Sequence, residues 1–144
     1  MSSDGTFTKL GVYVSSTVFE TIADHLYDEA GVTDFEKYFA DNGSRVPSGD
    51  PAGEVLASFV ERIVDEFDVL YDAADFEAAG DVDPHDFKPV TLTADPRLAT
   101  RLEELFDAAG LIQKRDARTV QTAIIAAALE EFGLPPLPDD AIYG

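Results

Sequence analysis

KPVTLTADPRLATRLEELFDAAGLIQKRDARTVQTAIIAAALEEF, running from Lys88 to Phe132, is the stretch whose reading decides the fold. It opens with alternation: Val90, Leu92 and Ala94 point one way, Thr91 and Thr93 the other, as in a strand with one buried face. Asp95 then Pro96 is a helix start, because aspartate caps free N–H groups and proline lacks an N–H where none is needed. Leu98, Leu102, Leu105, Phe106 and Ala109 recur on one helical face over Pro96–Ala109, and Gly110 predicts the stop. A basic loop, Gln113-Lys114-Arg115-Asp116, leads to a second helix over Ala117–Phe132, capped by Asp116 or Thr119. The centre of that helix, Ala123 to Leu129, is apolar nearly all round, which predicts burial on several sides.

A looser copy of the same order occupies Leu10 to Phe67. Phe7–Ser15 alternates, with Val12 and Val14 on one side and Lys9, Gly11, Tyr13 and Ser15 on the other. Ser15, Ser16 and Thr17 offer caps for a helix to Ala30 whose face carries Phe19, Ile22, Ala23, Leu26 and Tyr27, and Gly31 predicts its end. Residues 32–51 are an excursion, with a short helix expected over Asp34–Ala40 and loop chemistry from Asn42 to Pro51. A long helix is expected from Ala52 to Tyr71 or beyond, and Asp81–Asp86 reads as an acidic linker. A shift of 79 aligns Phe19 with Leu98 and Asp28-Glu29-Ala30-Gly31 with Asp107-Ala108-Ala109-Gly110. A shift of 78 aligns Val12 with Val90, and one of 65 aligns Phe59 with Ile124. The units are therefore 7–80, with the insertion 32–51, and 87–133, followed by a Pro-rich tail, 134–144, all in one compact domain.

Charge is the unusual property: 29 acidic against 10 basic residues, a net −19. Aspartate exceeds glutamate and lysine is scarce, a composition similar to that of haloarchaeal cytosolic proteins. In molar salt the Debye length is ~3 Å, so net charge counts little beyond direct contact. Without cysteine, disulfides and thiolate metal sites are excluded. No run approaches the ~20 apolar residues of a membrane span, and no signal-like start is present; a cytoplasmic location is expected.

Strand, helix, turn, helix, with Val90–Ala94 leading into Asp95-Pro96 and Arg118–Phe132 as the second helix, resembles the ribbon-helix-helix family. The resemblance implies a mostly α fold with a short two-stranded antiparallel ribbon and a pseudo-two-fold repeat. Here one chain would supply both halves of a unit normally made by two, a monomeric pseudo-dimer or higher oligomer. It also implies a transcription regulator that binds double-stranded DNA in the major groove. Carried over to this chain, the base-facing residues are Lys9, Tyr13, Ser15, Thr91 and Thr93, with Gly11 between them. Phosphate contacts fall to Lys114, Arg115 and Arg118 beside the second helix's N-terminus, and to Arg45 in the first copy. The chain departs from the family in having no Arg, Gln or Asn among the strand positions.

The other reading is a protein-interaction module, an antitoxin or adaptor, using Phe35, Tyr38, Phe39 and the tail. Enzyme signatures are missing: no Gly-rich phosphate loop, nucleophile elbow or HExxH occurs, so neither catalytic residue nor cofactor is expected. His25 reads as a solvated residue. Asp81, Asp83, His85 and Asp86 lack the glycine and closing glutamate of a calcium loop, so no metal is expected there.

Overall fold

The computed structural model describes residues 6–35, 37–38, 45–47 and 50–135. Among them β1 (Thr6–Ser15) runs antiparallel to β3 (Phe87–Ala94), with Leu10 opposite Leu92, Gly11 opposite Thr91 and Val12 opposite Val90. A three-residue strand, β2 (Arg45–Pro47), pairs with the start of β1, giving the sheet order β2-β1-β3. The sequence reading places no strand in the excursion, because three residues between loop tracts carry no measurable period. The short helix expected over Asp34–Ala40 falls partly outside the described residues; Lys37 and Tyr38 sit in turns closed on Asp34 and Phe35.

The rest is mostly helical: α1 (Ser16–Ala30), α2 (Pro51–Asp65), α3 (Phe67–Ala73), α4 (Phe76–Gly80), α5 (Pro96–Gln113) and α6 (Ala117–Glu131). No helix among the described residues is long and apolar enough to cross a membrane. Leu10, Val12, Val14, Val90, Leu92 and Ala94 form the buried sheet face. The packing over that face is crossed. α2, which follows β1 in the chain, lies along β3, and α6, which follows β3, lies along β1. Phe59, Leu56 and Ile63 of α2 and Ile124 and Ile125 of α6 are fully buried there. Each such side chain contributes roughly 1.5–3 kcal/mol by leaving water.

α6 also completes the sheet edge. Beyond β2, the odd residues of β1 direct their backbone groups away from β3, where no strand follows among the described residues. Gln121 Oε1 accepts from the Tyr13 N–H at 2.8 Å and Thr122 Oγ1 from the Ser15 N–H at 2.9 Å. On the β3 side the Thr93 hydroxyl donates to the Gly53 carbonyl of α2 at 2.7 Å.

Two helix boundaries differ from the sequence reading. The long second helix breaks at Glu66, where φ −113° leaves the helical region. The bend lets Phe67 of α3 set its ring edge-on to Phe106 of α5, centroids 6.2 Å apart. α5 passes through Gly110 and ends at Lys114, which adopts φ 55°. The Gln113 amide donates to the Tyr71 hydroxyl, so a contact with α3 holds the added turn. Gly110 keeps an ordinary φ and accepts from the Arg115 N–H. α1 ends as expected, on Gly31 at φ 71°.

Thr122→Val keeps the shape and removes the acceptor for the Ser15 N–H. Urea denaturation is expected to show a loss of about 1–3 kcal/mol, the cost of one unbonded polar group. An unchanged midpoint would mean that the sheet edge draws nothing from α6.

Candidate nucleic-acid interface

The face of the ribbon turned away from the core carries the residues singled out from the sequence. The ladder sets Lys9 opposite Thr93, Gly11 opposite Thr91, Tyr13 opposite Pro89 and Ser15 opposite Phe87. Gly11 and Pro89 are exposed and Tyr13 keeps 44% of its surface, while Lys9, Ser15, Thr91 and Phe87 are half-buried. A Cβ built on Gly11 would meet no atom within 4 Å. The middle of the face is therefore open, with hydroxyls on both strands that can donate or accept. Thr93 is a correction: it is fully buried and its hydroxyl is bonded to Gly53, so it offers nothing at the surface. Alternation assigns its face correctly, but the start of α2 covers this residue.

The expected phosphate cluster is only partly assembled. Arg118 stands at the Ser15–Phe87 end of the ribbon, its guanidinium 5.2 Å from the centre of the Phe87 ring. Its Nε donates to Asp116 Oδ1 at 3.1 Å. Lys114 is exposed at the end of α5. Arg115 is half-buried against α4, its Nη1 so near Gly80 that a Cβ there would lie 2.8 Å away. Its Nε is buried and bonded to nothing. Arg115 therefore lies against α4, with its Nη1 beside the exposed Gly80. Arg45 lies in β2, and its side chain lies outside the described residues.

A carboxylate occupies the N-terminus of each helix that was expected to receive a phosphate. Asp116 caps α6, accepting from the Arg118 N–H at 2.9 Å. That backbone bond, then the Arg118 side-chain bond, holds its carboxyl below the usual aspartate range. Asp50 caps α2, accepting from the Gly53 N–H at 2.9 Å and from the Tyr38 hydroxyl at 3.1 Å. Burial, followed by the Asp50 charge and bond, pushes Tyr38 up to about 12. A carboxylate at a helix N-terminus is stabilising, and it repels a second anion from the same dipole.

The surface expected for a protein partner is also altered. Phe35 is buried, its ring 5.6 Å from Phe19, and Tyr38 is half-buried on Asp50. Phe39 and the tail beyond Pro135 lie outside the described residues. His25 is half-buried rather than solvated, donating from Nε2 to the Pro135 carbonyl at 2.7 Å. In the acidic linker, Asp83 Oδ1 accepts from the His85 N–H at 2.9 Å and stands 3.1 Å from its ring Nδ1. Leu111 and Ile112, 79% and 69% exposed, are the prominent apolar residues the sequence reading missed. They follow Gly110, where the helix was expected to have ended. Compared with family models, curated proteins and solved structures, the chain matches none.

Asn caps a helix about as well as Asp, so Asp116→Asn is expected to leave the neutral-pH denaturation midpoint close to wild type. A lowered folded pKa stabilises above the ordinary value and is lost as pH falls, so the variant's stability profile should flatten below 3.8. An unchanged acid limb would contradict this. The raised Tyr38 pKa works in the opposite direction: its contribution is present below 10.0 and lost as pH rises toward 12. Alkaline absorbance titration of Tyr38→Phe should lack one late-ionising phenol, and a curve identical to wild type would refute the assignment.

Proposed function

We propose that this chain is a single-chain ribbon-helix-helix protein that acts as a DNA-binding regulator through the outer face of its ribbon. The observation that carries this reading is the pairing of β1 with β3 beneath crossed helices, α2 on β3 and α6 on β1. Two intertwined copies of a strand-helix-helix unit require that arrangement, since neither copy alone can cover its own strand.

An internal repeat of 80 residues supports the reading better than the shifts of 79 and 78 taken from the sequence. The caps Ser15 and Asp95 lie 80 apart. The same spacing superposes Phe7 on Phe87 and the buried Leu10, Val12 and Val14 on the buried Val90, Leu92 and Ala94. In the following helices it superposes Ile22 on Leu102 and Leu26 on Phe106, all buried. An odd spacing would exchange the two faces of a strand, and 78 would set buried Leu10 on Lys88. α2 and α6 are each 15 residues long and each is capped by aspartate. On this reading, light scattering finds a monomer, with both halves supplied in cis.

A second reading, an interaction module for a protein partner, is favoured by the aspartates at both helix N-termini and by Leu111 and Ile112 standing in solvent. The contact would then lie at the end of α5, away from Phe35 and Tyr38.

Fluorescence anisotropy with mixed-sequence duplexes at ~1–3 M KCl, where net charge is screened, distinguishes the two. Saturable binding is expected. Arg118→Ala should weaken it for every sequence alike, and Asp116→Asn should strengthen it by removing the negative charge that repels a phosphate at the α6 N-terminus. No binding by the wild type at any salt rejects the regulator in favour of the protein partner.

A further inference from the structure

The two halves of the ribbon face differ in chemistry, and that difference constrains the target. A two-fold axis consistent with the 80-residue repeat passes through the Gly11–Thr91 pair. It relates Tyr13 to Thr93 and Lys9 to Pro89. In a ribbon of identical strands each end would show the same pair of side chains. Here one end shows Lys9 opposite Thr93, and the other shows Tyr13 opposite Pro89. The contrast extends to depth. Tyr13 keeps 44% of its surface, whereas its mate Thr93 keeps none and is bonded to Gly53.

The covering helices reproduce the contrast. At Tyr13, α6 takes hold through the backbone: Gln121 accepts from the Tyr13 N–H and leaves the phenol side chain outside. At Thr93, α2 takes hold through the side chain: the hydroxyl reaches the Gly53 carbonyl. Glycine at that turn of α2 leaves room for β2, since a Cβ on Gly53 would lie 3.0 Å from a Val46 methyl. The Tyr13 end is further marked by Arg118 over Phe87, whose repeat-mate Phe7 is instead opposite Val46 of β2.

We infer that the DNA site of this protein is non-palindromic: Tyr13 discriminates bases in one half, Lys9 faces the other, and Thr91 lies at the centre. The inference rests on the regulator reading. An ammonium favours the adjacent acceptors of guanine in the major groove, whereas a phenol can donate or accept and can touch a thymine methyl. Different side chains at dyad-related positions present different preferences to the two half-sites.

The test is selection of bound duplexes from a fully randomised library at ~1–3 M KCl, with wild type, Tyr13→Ala and Lys9→Ala. The wild-type consensus should lack two-fold symmetry. Tyr13→Ala should lose base preference in one half only, with the best duplex bound roughly tenfold more weakly, and Lys9→Ala should lose it in the other half. Both positions lie on the outer face of the ribbon, and thermal melting verifies that each variant is folded. A palindromic wild-type consensus, or loss spread evenly over both halves in either variant, overturns the inference while leaving DNA binding intact. Failure to recover any bound duplex instead overturns the regulator reading beneath it.

Discussion

Antiparallel pairing of β1 with β3 is the constraint on which the remaining structure depends. It sets six apolar side chains on one face, three from each strand, and a slip of either strand by one residue would turn its three to the opposite face. A two-stranded ribbon is marginal by itself in water. This one is secured by a helix packed along each strand, by a third strand at one end of β1, and by side chains of α6 that complete the open edge at the other. The excursion between α1 and α2 supplies that third strand, and Tyr38 within it supplies a bond to the α2 cap. It is therefore part of the scaffold.

Electrostatics shape the surface differently from the fold. With 29 carboxylates against 10 cations, a cation near the ribbon has many competing partners. Arg118 is paired with Asp116 and stacked on Phe87, while Arg115 is drawn against Gly80. Short-range stacking and bonding of this kind persist in high salt, where long-range attraction is screened. The open chemistry at the centre of the ribbon is accordingly that of hydroxyls, an aromatic ring and bare backbone. Such a face presents shape and hydrogen-bonding groups more than charge.

The legibility of the candidate site follows from what each residue's position required. Strand alternation placed Tyr13, Gly11 and Thr91 on the outer face because period two is a local property. The same rule placed Thr93 there and could not foresee its burial, which results from Gly53, forty positions away in sequence, coming to lie beside it. Asp116 was readable as a cap, but its effect on the expected phosphate position becomes evident only when the Arg118 N–H and guanidinium are both seen on the same carboxylate. Leu111 and Ile112 were hidden by Gly110, a residue that commonly ends helices and here does not.

The sequence by itself determined the two long strands, the starts of α1, α5 and α6, the apolar faces and the acidic surface. These depend on periodicity, capping chemistry and composition, which act over a few residues. Only the tertiary structure decided where α2 breaks, how far α5 extends, which helix covers which strand and which outer-face residues remain open. Those outcomes turn on contacts between residues far apart in the chain, such as Phe67 with Phe106, Gln113 with Tyr71 and Thr93 with Gly53. Local propensities of about a kilocalorie or less per residue yield to such packing whenever the two disagree.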